Sequence, residues 1–475
     1  MKRLFTYVFL LAVSIFIAKG QDTDFSMEKI KGIGLKVVQI ETINNEEPTC
    51  DFVEAPEGCM GMTSVNASKV PCRIVIMLLN DTLYDSGEYN QSVSGATIKI
   101  NGNTSAYFAE DGNWPFKIKL QKKQDLLFRQ DEQRFADKEW RLIKDAITMK
   151  TIVGLKISEL LHFPWTPAYT PCNVFINGDY RGCYLLIESV ERNKDCRIDV
   201  DKQSGYIIER DPYWWKENKY FVSDYFASNQ AYRWTWKYPD EDDATDEQKE
   251  YIKQFICQAE QSIKDGTYEN YIDIESFARW ILANDILGCK DSGGTNLFVS
   301  KYDGNPTSLL QIPVLWDFDS NFQIEEGQFA RCHNADYDFY FHDLFNNNNK
   351  AFTRIYQQLW TSIKPSLLNN ITDYISSYIN SEEGMALEAS KDIHNKRWKY
   401  ADISAMKDEA ETIISWFNRH LTLLDKRIDR LDETGIQTTE KSNEDHIIYN
   451  LSGIKLSDQK KGIMIKRQKK YLSTH

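Results

Sequence analysis

The segment WILANDILGCKDSGGTNLFVSKYDGNPTSLLQIPVLWDFDSNF, residues 280–322, concentrates acidic and amide side chains between apolar runs. It is typical of a helix end, a loop, a strand, a turn and a second strand. Four residues separate Asp291 from Asn296, and Asp317 and Asp319 follow the apolar run 312–316. A phosphoryl-transfer site uses such parts in this order, with one aspartate beside the acceptor hydroxyl and a later one on a metal. Neighbouring carboxylates repel each other, and a divalent cation relieves that repulsion. The segment therefore predicts a site for a metal ion and phosphate.

The whole chain is large and apolar enough to bury a core. It has 475 residues, of which 42% are hydrophobic and 13% aromatic, and a formal net charge of −13. An acidic chain disfavours non-specific binding to nucleic acids or anionic membranes, and it is compatible with basic substrates.

The N-terminus is typical of an exported protein. Residues 1–20 combine a basic start, an apolar run and a small residue near the expected cleavage point, which predicts a signal peptide. The apolar run is shorter than the roughly 20 residues that cross a bilayer, and no later segment has that pattern. We expect a secreted, periplasmic or cell-surface protein without a membrane span after signal removal. The oligomeric state cannot be read from the sequence.

All nine cysteines follow the signal, and export permits disulfides. Residues 50, 59 and 72 form one sequence cluster, and residues 172, 183 and 196 form another. Pairing within each cluster is one hypothesis, and an odd total leaves at least one thiol. The patterns C-x-x-C and H-E-x-x-H are missing, so we do not expect a zinc site.

Alternation and turn signals predict a β-rich first half that includes one helix. The helix is predicted at residues 145–161. Two strands after it flank Asn177-Gly178, the strongest short hairpin signal. Earlier strands are predicted at residues 35–43, 73–79, 97–100 and 116–120.

Three places in this half could contact a nucleotide. Gly102 and Asn103 lie in a small polar turn after a strand, where backbone N–H groups could approach a phosphate; a plain hairpin loop is the alternative. Lys117 and Lys119 share one face of a strand, which is either solvated or directed towards phosphates. Glu188 ends the hairpin and begins a polar, hinge-like run.

The second half is predicted to be mostly helical. The apolar residues of 402–431 recur at three- and four-residue steps, as on a buried helix stripe. Other helices are predicted at residues 245–264, 272–287 and 352–379. We divide the chain into a signal peptide (1–20), an N-terminal β-rich region (21–85), a main domain (86–430) and a basic tail with a short β-hairpin (431–475).

Several of these motifs resemble those of the CotH kinase family, the spore-coat-protein-H-like atypical kinases of the secretory pathway. The resemblance spans roughly residues 72–430 and is carried by segments 98–105, 114–120, 175–188, 291–298 and 316–319. It implies an α+β, diverged two-lobed protein-kinase-like fold, with a small antiparallel β lobe carrying one helix and a larger, mostly helical lobe. It also implies transfer of the ATP γ-phosphate to Ser or Thr of exported proteins with Mg²⁺ or Mn²⁺.

The resemblance also implies residue roles. Asp291 corresponds to the catalytic aspartate, Asn296 to the metal-supporting asparagine and Asp317 to the metal-binding aspartate; Asp319 is a further predicted metal ligand. One of the two lysines, Lys117 or Lys119, corresponds to the phosphate lysine, Glu188 lies at the hinge or cleft, and Gly102 and Asn103 lie in the nucleotide loop. The chain departs from the family at Asn101, where an arginine is usual, and at Cys289-Lys290, where ordinary kinases have His-Arg.

Two other functions remain open on the sequence. A non-catalytic surface-binding or adhesion protein on a pseudokinase scaffold would retain nucleotide binding without transferring phosphate. A glycoside hydrolase would use paired carboxylates and aromatic residues without any nucleotide.

Overall fold

The computed structural model describes most of the chain from residue 23 onward. The described ranges are 23–59, 63–109, 112–144, 148–216, 220–224, 232–240, 242–292, 295–334, 339–398 and 404–431, with four short strands beyond residue 447. The predicted signal peptide lies outside these ranges.

The first half of the chain forms a closed β-barrel. Its seven strands are β1 (Lys36–Thr42), β4 (Val70–Leu78), β6 (Ala96–Ile100), β7 (Phe116–Gln124), β8 (Asp137–Ile143), β9 (Tyr169–Ile176) and β10 (Asp179–Glu188). Around the barrel they follow the order β1-β9-β10-β8-β7-β6-β4, and β4 pairs with β1 to close the ring. The pair β1–β9 is parallel and the other pairs are antiparallel.

Alternating side chains fill the barrel. Ile98, Ile118 and Trp140 lie directly opposite one another on three neighbouring strands and belong to one buried apolar cluster. Because successive side chains of a strand point to opposite faces, the basic and acidic residues between them lie on the outer face. Outside the ring, β5 (Asp81–Asp85) extends β4, and β2 (Cys50–Glu54) pairs with β3 (Thr63–Ala67).

The β9–β10 hairpin forms where the sequence predicts it. Asn177 and Gly178, at its turn, have φ values of 51° and 80°. Both are residues that tolerate the left-handed region, and such turns match the twist of the flanking strands. Helix α4 (Lys150–Leu160) precedes the hairpin.

The expected two-lobed, protein-kinase-like fold is wrong. Instead of a small antiparallel lobe, the β-strands close into a seven-stranded barrel, and the described ranges contain ten α-helices. The physical reason is the pairing of β1 with both β4 and β9, which joins the ends of what would otherwise be an open sheet. Closure removes the unpaired N–H and C=O groups at those two edges.

A second, five-stranded sheet carries the middle of the chain. Its strands are β11 (Tyr206–Asp211), β12 (Tyr220–Phe221), β13 (Arg233–Tyr238), β14 (Leu297–Lys301) and β15 (Leu310–Gln311), in the order β12-β13-β11-β14-β15. The expected strand over the apolar run 312–316 is not formed. Its backbone is held by other contacts: Ile312 N–H donates to Ser276 Oγ and the Pro313 carbonyl accepts from Trp165 N–H.

Helices dominate the second half. The long ones are α5 (Asp246–Asp265), α6 (Ile274–Leu287), α8 (Ala351–Ile379), α9 (Glu382–Arg397) and α10 (Met406–Ile428), with shorter α7 (Phe339–Asn346). The predicted apolar stripe of α10 is buried and packs with α6 and α8 in the largest core. The remaining helices are short: α1 (Met27–Lys31), α2 (Thr104–Tyr107) and α3 (Glu132–Phe135).

The tail forms a separate small sheet of four strands, β16 (Ile448–Tyr449), β17 (Lys455–Leu456), β18 (Gly462–Lys466) and β19 (Lys469–Ser473). The thiols of Cys172, Cys183 and Cys196 are not joined by disulfides, so the hypothesis of pairing within that cluster is wrong. In the described part of the chain, no helix has both the length and the apolarity that membrane crossing needs.

Candidate functional site

Ser320 joins the two acidic loops. One loop runs from the C-terminus of α6, where Gly288 has φ 56° and caps the helix, to Asp291. Asp291 N–H donates to Ser320 Oγ at 3.0 Å, and Lys290 N–H donates to the Ser320 carbonyl at 3.0 Å. A third bond, from Phe322 N–H to the Leu287 carbonyl at 2.8 Å, continues this pairing. The backbone therefore fixes Asp291 beside the turn that holds Asp317 and Asp319.

Asn296 and Asp317 meet side chain to side chain. Asn296 Nδ2 donates to Asp317 Oδ2 at 3.2 Å, although the two residues lie 21 positions apart in the sequence. Both have positive φ, 57° and 68°. Asn and Asp adopt this region more readily than most residues, and such conformations often occur at functional sites. The two predicted metal-binding side chains thus lie together at the ends of β14 and of the run 312–316.

The residues around Asp319 attach this turn to α4. The Asp319 carbonyl accepts from Lys150 Nζ at 2.5 Å and from Gln323 Nε2 at 3.1 Å. Between the two aspartates, Phe318 is buried and its ring lies directly over Gly154 in α4. A side chain at position 154 would place its Cβ 2.1 Å from Phe318 Cδ1, so only glycine fits beneath the ring.

The pKa shifts in this region indicate that the predicted functional carboxylates lie near one another. Burial and then the Asp291 carboxylate raise the pKa of Asp319, although its side chain keeps access to solvent. Burial is also the main cause that raises the pKa of Tyr213, and the charges of both Asp291 and Asp317 raise it further. Tyr213 therefore lies close to both predicted functional aspartates.

Tyr213 also reaches the polar turn of the barrel. Its hydroxyl is 3.0 Å from Thr104 Oγ1, at the start of α2. In the same turn Gly102 has φ +83°, and Asn103 Oδ1 accepts from Val65 N–H at 3.2 Å. The turn predicted to approach a phosphate thus contacts a phenol whose pKa is influenced by the charges of the acidic loops.

Lys117 and Lys119 lie on the outer face of β7 and pair with acidic neighbours. Glu139 binds the ammonium groups of both, and its Oε1 is 2.8 Å from Lys119 Nζ. Lys117 Nζ also lies 3.7 Å from Glu191. Burial and the hydrogen bond to Glu139 raise the pKa of Glu191 to about 7. The structure thus gives both lysines carboxylate partners within the protein.

Glu188 is buried within the protein and is 1% exposed. Its Oε1 accepts from Arg129 Nη2 at 2.8 Å, and its Oε2 accepts from Trp165 Nε1 at 3.3 Å and Ala168 N–H at 3.0 Å. These contacts fasten the end of β10 to the segment that follows α4. These contacts give Glu188 a structural role. Its contact with a nucleotide stays a prediction.

The side chains present suit a hard divalent cation in their chemistry. Asp317 and Asn296 offer a carboxylate and an amide oxygen, and Asp319 and Asp291 lie near them; Mg²⁺ favours such oxygen ligands. Within the described ranges, however, His, Cys, Asp and Glu side chains do not gather in threes in a geometry that would hold a metal ion. The arrangement is therefore a pair of adjacent ligands with further carboxylates close by.

Sequence reasoning missed three residues of this region. Ser320 and Tyr213 look like ordinary loop residues, and only the folded chain shows that they connect separate segments. Arg141, on β8, lies with its guanidinium carbon 5.6 Å from the Trp316 ring, next to Asp317 in the chain. Its position opposite Lys117 follows from strand alternation, which could have identified it.

Comparison with known proteins finds a family match that covers the region of the candidate site. A family model described as CotH kinase protein matches residues 98–424, which include every candidate residue discussed above. No curated protein matches the chain. Because the match covers well over half of the sequence, the chain belongs to the CotH kinase protein family.

Proposed function

We propose that this protein transfers the γ-phosphoryl group of ATP to Ser or Thr hydroxyls of exported proteins, with Mg²⁺ or Mn²⁺. Family membership supports a kinase-like phosphotransferase. The observation that carries the proposal is the contact between Asn296 and Asp317 at 3.2 Å, with Asp291 fastened beside it through Ser320. Export is proposed from the signal-peptide pattern of residues 1–20.

In this proposal Asp317 and Asn296 hold the metal, with Asp319 near enough to assist. When bound, the divalent ion neutralises charge on the phosphate oxygens. Asp291 accepts the proton of the acceptor hydroxyl while that oxygen bonds to the γ-phosphorus and the bond to the leaving ADP oxygen breaks. Its exposed side chain, on a backbone held by Ser320, is accessible to a protein substrate. A positioned base of this kind contributes about 10²- to 10⁴-fold in rate.

The test is incubation of the full-length protein with radiolabelled ATP and Mn²⁺, with Asp291→Asn and Asp317→Asn compared with wild type. We expect label in the wild type, a loss of about 10²-fold or more for Asp291→Asn, and a larger loss for Asp317→Asn. Asp373→Asn, which changes an exposed carboxylate on α8, is the matched control and should retain activity. Equal labelling of all four proteins, with unchanged thermal unfolding, would refute the assigned roles.

A non-catalytic nucleotide-binding protein is the second candidate. The observation that favours it is Asn101, which stands in the polar turn where the family usually has an arginine. The same samples separate the two functions, because a pseudokinase would show a rise in Tm with ATP and Mn²⁺ but no transferred label. The match to the kinase family disfavours the glycoside hydrolase considered from the sequence.

A further inference from the structure

Three basic side chains form a row on the outer face of the barrel. Lys99 on β6, Lys117 on β7 and Arg141 on β8 lie directly opposite one another in the strand register. Residues adjacent to them in the chain, such as Ile98 and Trp140, point into the barrel core, so alternation places the basic row outside. We call Lys99, Lys117 and Arg141 the basic row.

The basic row faces the candidate site. Arg141 lies over Trp316, immediately before Asp317. With the Asn101 amide oriented to satisfy its neighbours, Asn101 Oδ1 accepts from Arg141 Nη1 at 2.7 Å and from Gly102 N–H at 3.0 Å. The row is therefore adjacent to the polar turn at Gly102 on one side and to the acidic turn on the other.

The three charges of the row differ in their partners. Lys117 is paired with Glu139 and Glu191, and Arg141 donates to Asn101. In the described part of the chain, by contrast, no hydrogen bond or ion pair involves the Lys99 ammonium. Lys99 is also only half-exposed, so water does not fully compensate for the missing partner.

The pKa of Lys99 supports this difference between the three basic side chains. Burial, followed by the positive charges of Lys117, Lys216, Lys69 and Arg141, lowers the pKa of Lys99 to about 8. The largest contributions to that shift are burial and positive charges, and no carboxylate is among them. A lysine that lies among like charges, without a carboxylate partner among the described residues, is stabilised by a bound anion, and phosphate groups commonly bind to such lysines.

We propose that Lys99 binds a phosphate group of the nucleotide, with Arg141 and the Gly102 turn beside it. This inference rests on the proposed function for the identity of the ligand, and it adds a residue to the lysines of β7. Lys117 and Lys119 are neutralised by carboxylates within the protein, whereas Lys99 retains its charge for a ligand. Removal of Lys99 should therefore weaken binding of the phosphates without affecting binding of the nucleoside.

The experiment measures binding of ATP with Mn²⁺, of inorganic tripolyphosphate and of adenosine to the full-length protein by calorimetry. We expect Lys99→Gln to weaken ATP and tripolyphosphate binding by about 10- to 100-fold, the usual effect of a charged hydrogen bond, and to leave adenosine unchanged. Lys99→Arg should restore most of the affinity. Lys123→Gln removes an exposed charge from the neighbouring strand β7 and is the matched control.

The outcomes distinguish this inference from the proposed function. If Lys99→Gln and Lys123→Gln bind tripolyphosphate equally well, the role of Lys99 is refuted even where phosphate transfer is observed. If tripolyphosphate binding depends on Lys99 but the wild type transfers no phosphate, the anion site stands and the proposed function fails. A wild type that binds neither ATP nor tripolyphosphate overturns both.

Discussion

The contact of Phe318 with Gly154 makes a single added methyl group a sharp test of the site. In an ordinary helix, replacing glycine by alanine stabilises the protein by about 1 kcal/mol. At position 154 the new Cβ would lie 2.1 Å from Phe318 Cδ1 and 2.6 Å from Cγ, where ordinary contact begins near 3.4 Å. Overpacking of this kind costs about 1–3 kcal/mol. We therefore expect Gly154→Ala to leave the protein no more stable than wild type, and up to about 2 kcal/mol less stable.

The larger effect should be on catalysis. Phe318 lies between Asp317 and Asp319, so a ring displaced from α4 moves both carboxylates. A shift of about 1 Å in a catalytic group can cost about 10²-fold in rate. The assay is phosphate transfer from labelled ATP, measured together with thermal unfolding. In the double variant Gly154→Ala/Phe318→Leu, the smaller leucine side chain makes room for the methyl group. Gly154→Ala should therefore destabilise the Phe318→Leu protein less than it destabilises wild type. If alanine raises the Tm by as much as in a free helix and activity is unchanged, the packing argument is refuted.

Two further perturbations test the barrel and its outer face. In Glu188→Gln, the new amide N–H would face one of the donors that the carboxylate now binds, and that donor would lose its hydrogen bond. We expect chemical denaturation to show a loss of stability of about 2–3 kcal/mol. Glu159→Gln, at an exposed ion pair, should change stability by less than about 0.5 kcal/mol, and equal effects would contradict the argument. Glu191, whose pKa rises from 4.5 to about 7 on folding, binds its proton more tightly in the folded state. Between pH 4.5 and 7, wild type should therefore lose stability relative to Glu191→Gln as pH rises. A Tm difference that is constant over this range would contradict the assigned pKa.

Local signals in the sequence were sufficient for several elements. Asn177-Gly178 specifies its hairpin because both residues accept the positive φ that the turn requires. The stripe of α10 specifies a buried helix because its apolar residues recur with the helical period. The proximity of Asp291, Asn296 and Asp317 follows from short loops between neighbouring elements, and the structure places them as one group.

The remaining features depend on contacts that no local pattern encodes. An alternating strand such as β1 fits an open sheet and a closed barrel equally well, and the choice rests on its pairing with β9 more than 100 residues away. Lys99 and Lys119 have the same alternation, but only the fold shows that Glu139 holds Lys119 while Lys99 lacks a partner among the described residues. The run 312–316 is as apolar as a strand, yet its backbone hydrogen-bonds to Ser276 of α6 and to Trp165 rather than to a neighbouring strand.

The two pairings of β1 have a consequence for how the chain reaches its final form. Its antiparallel partner, β4, is only a few tens of residues away, whereas its parallel partner, β9, is the eighth strand to be synthesised afterwards. Until β9 emerges, one side of β1 exposes unsatisfied hydrogen-bonding groups, and distant pairings of this kind form slowly. A nascent chain that has not yet reached residue 176 therefore presents an adhesive edge. Any factor that delays its folding would act most effectively by covering that edge.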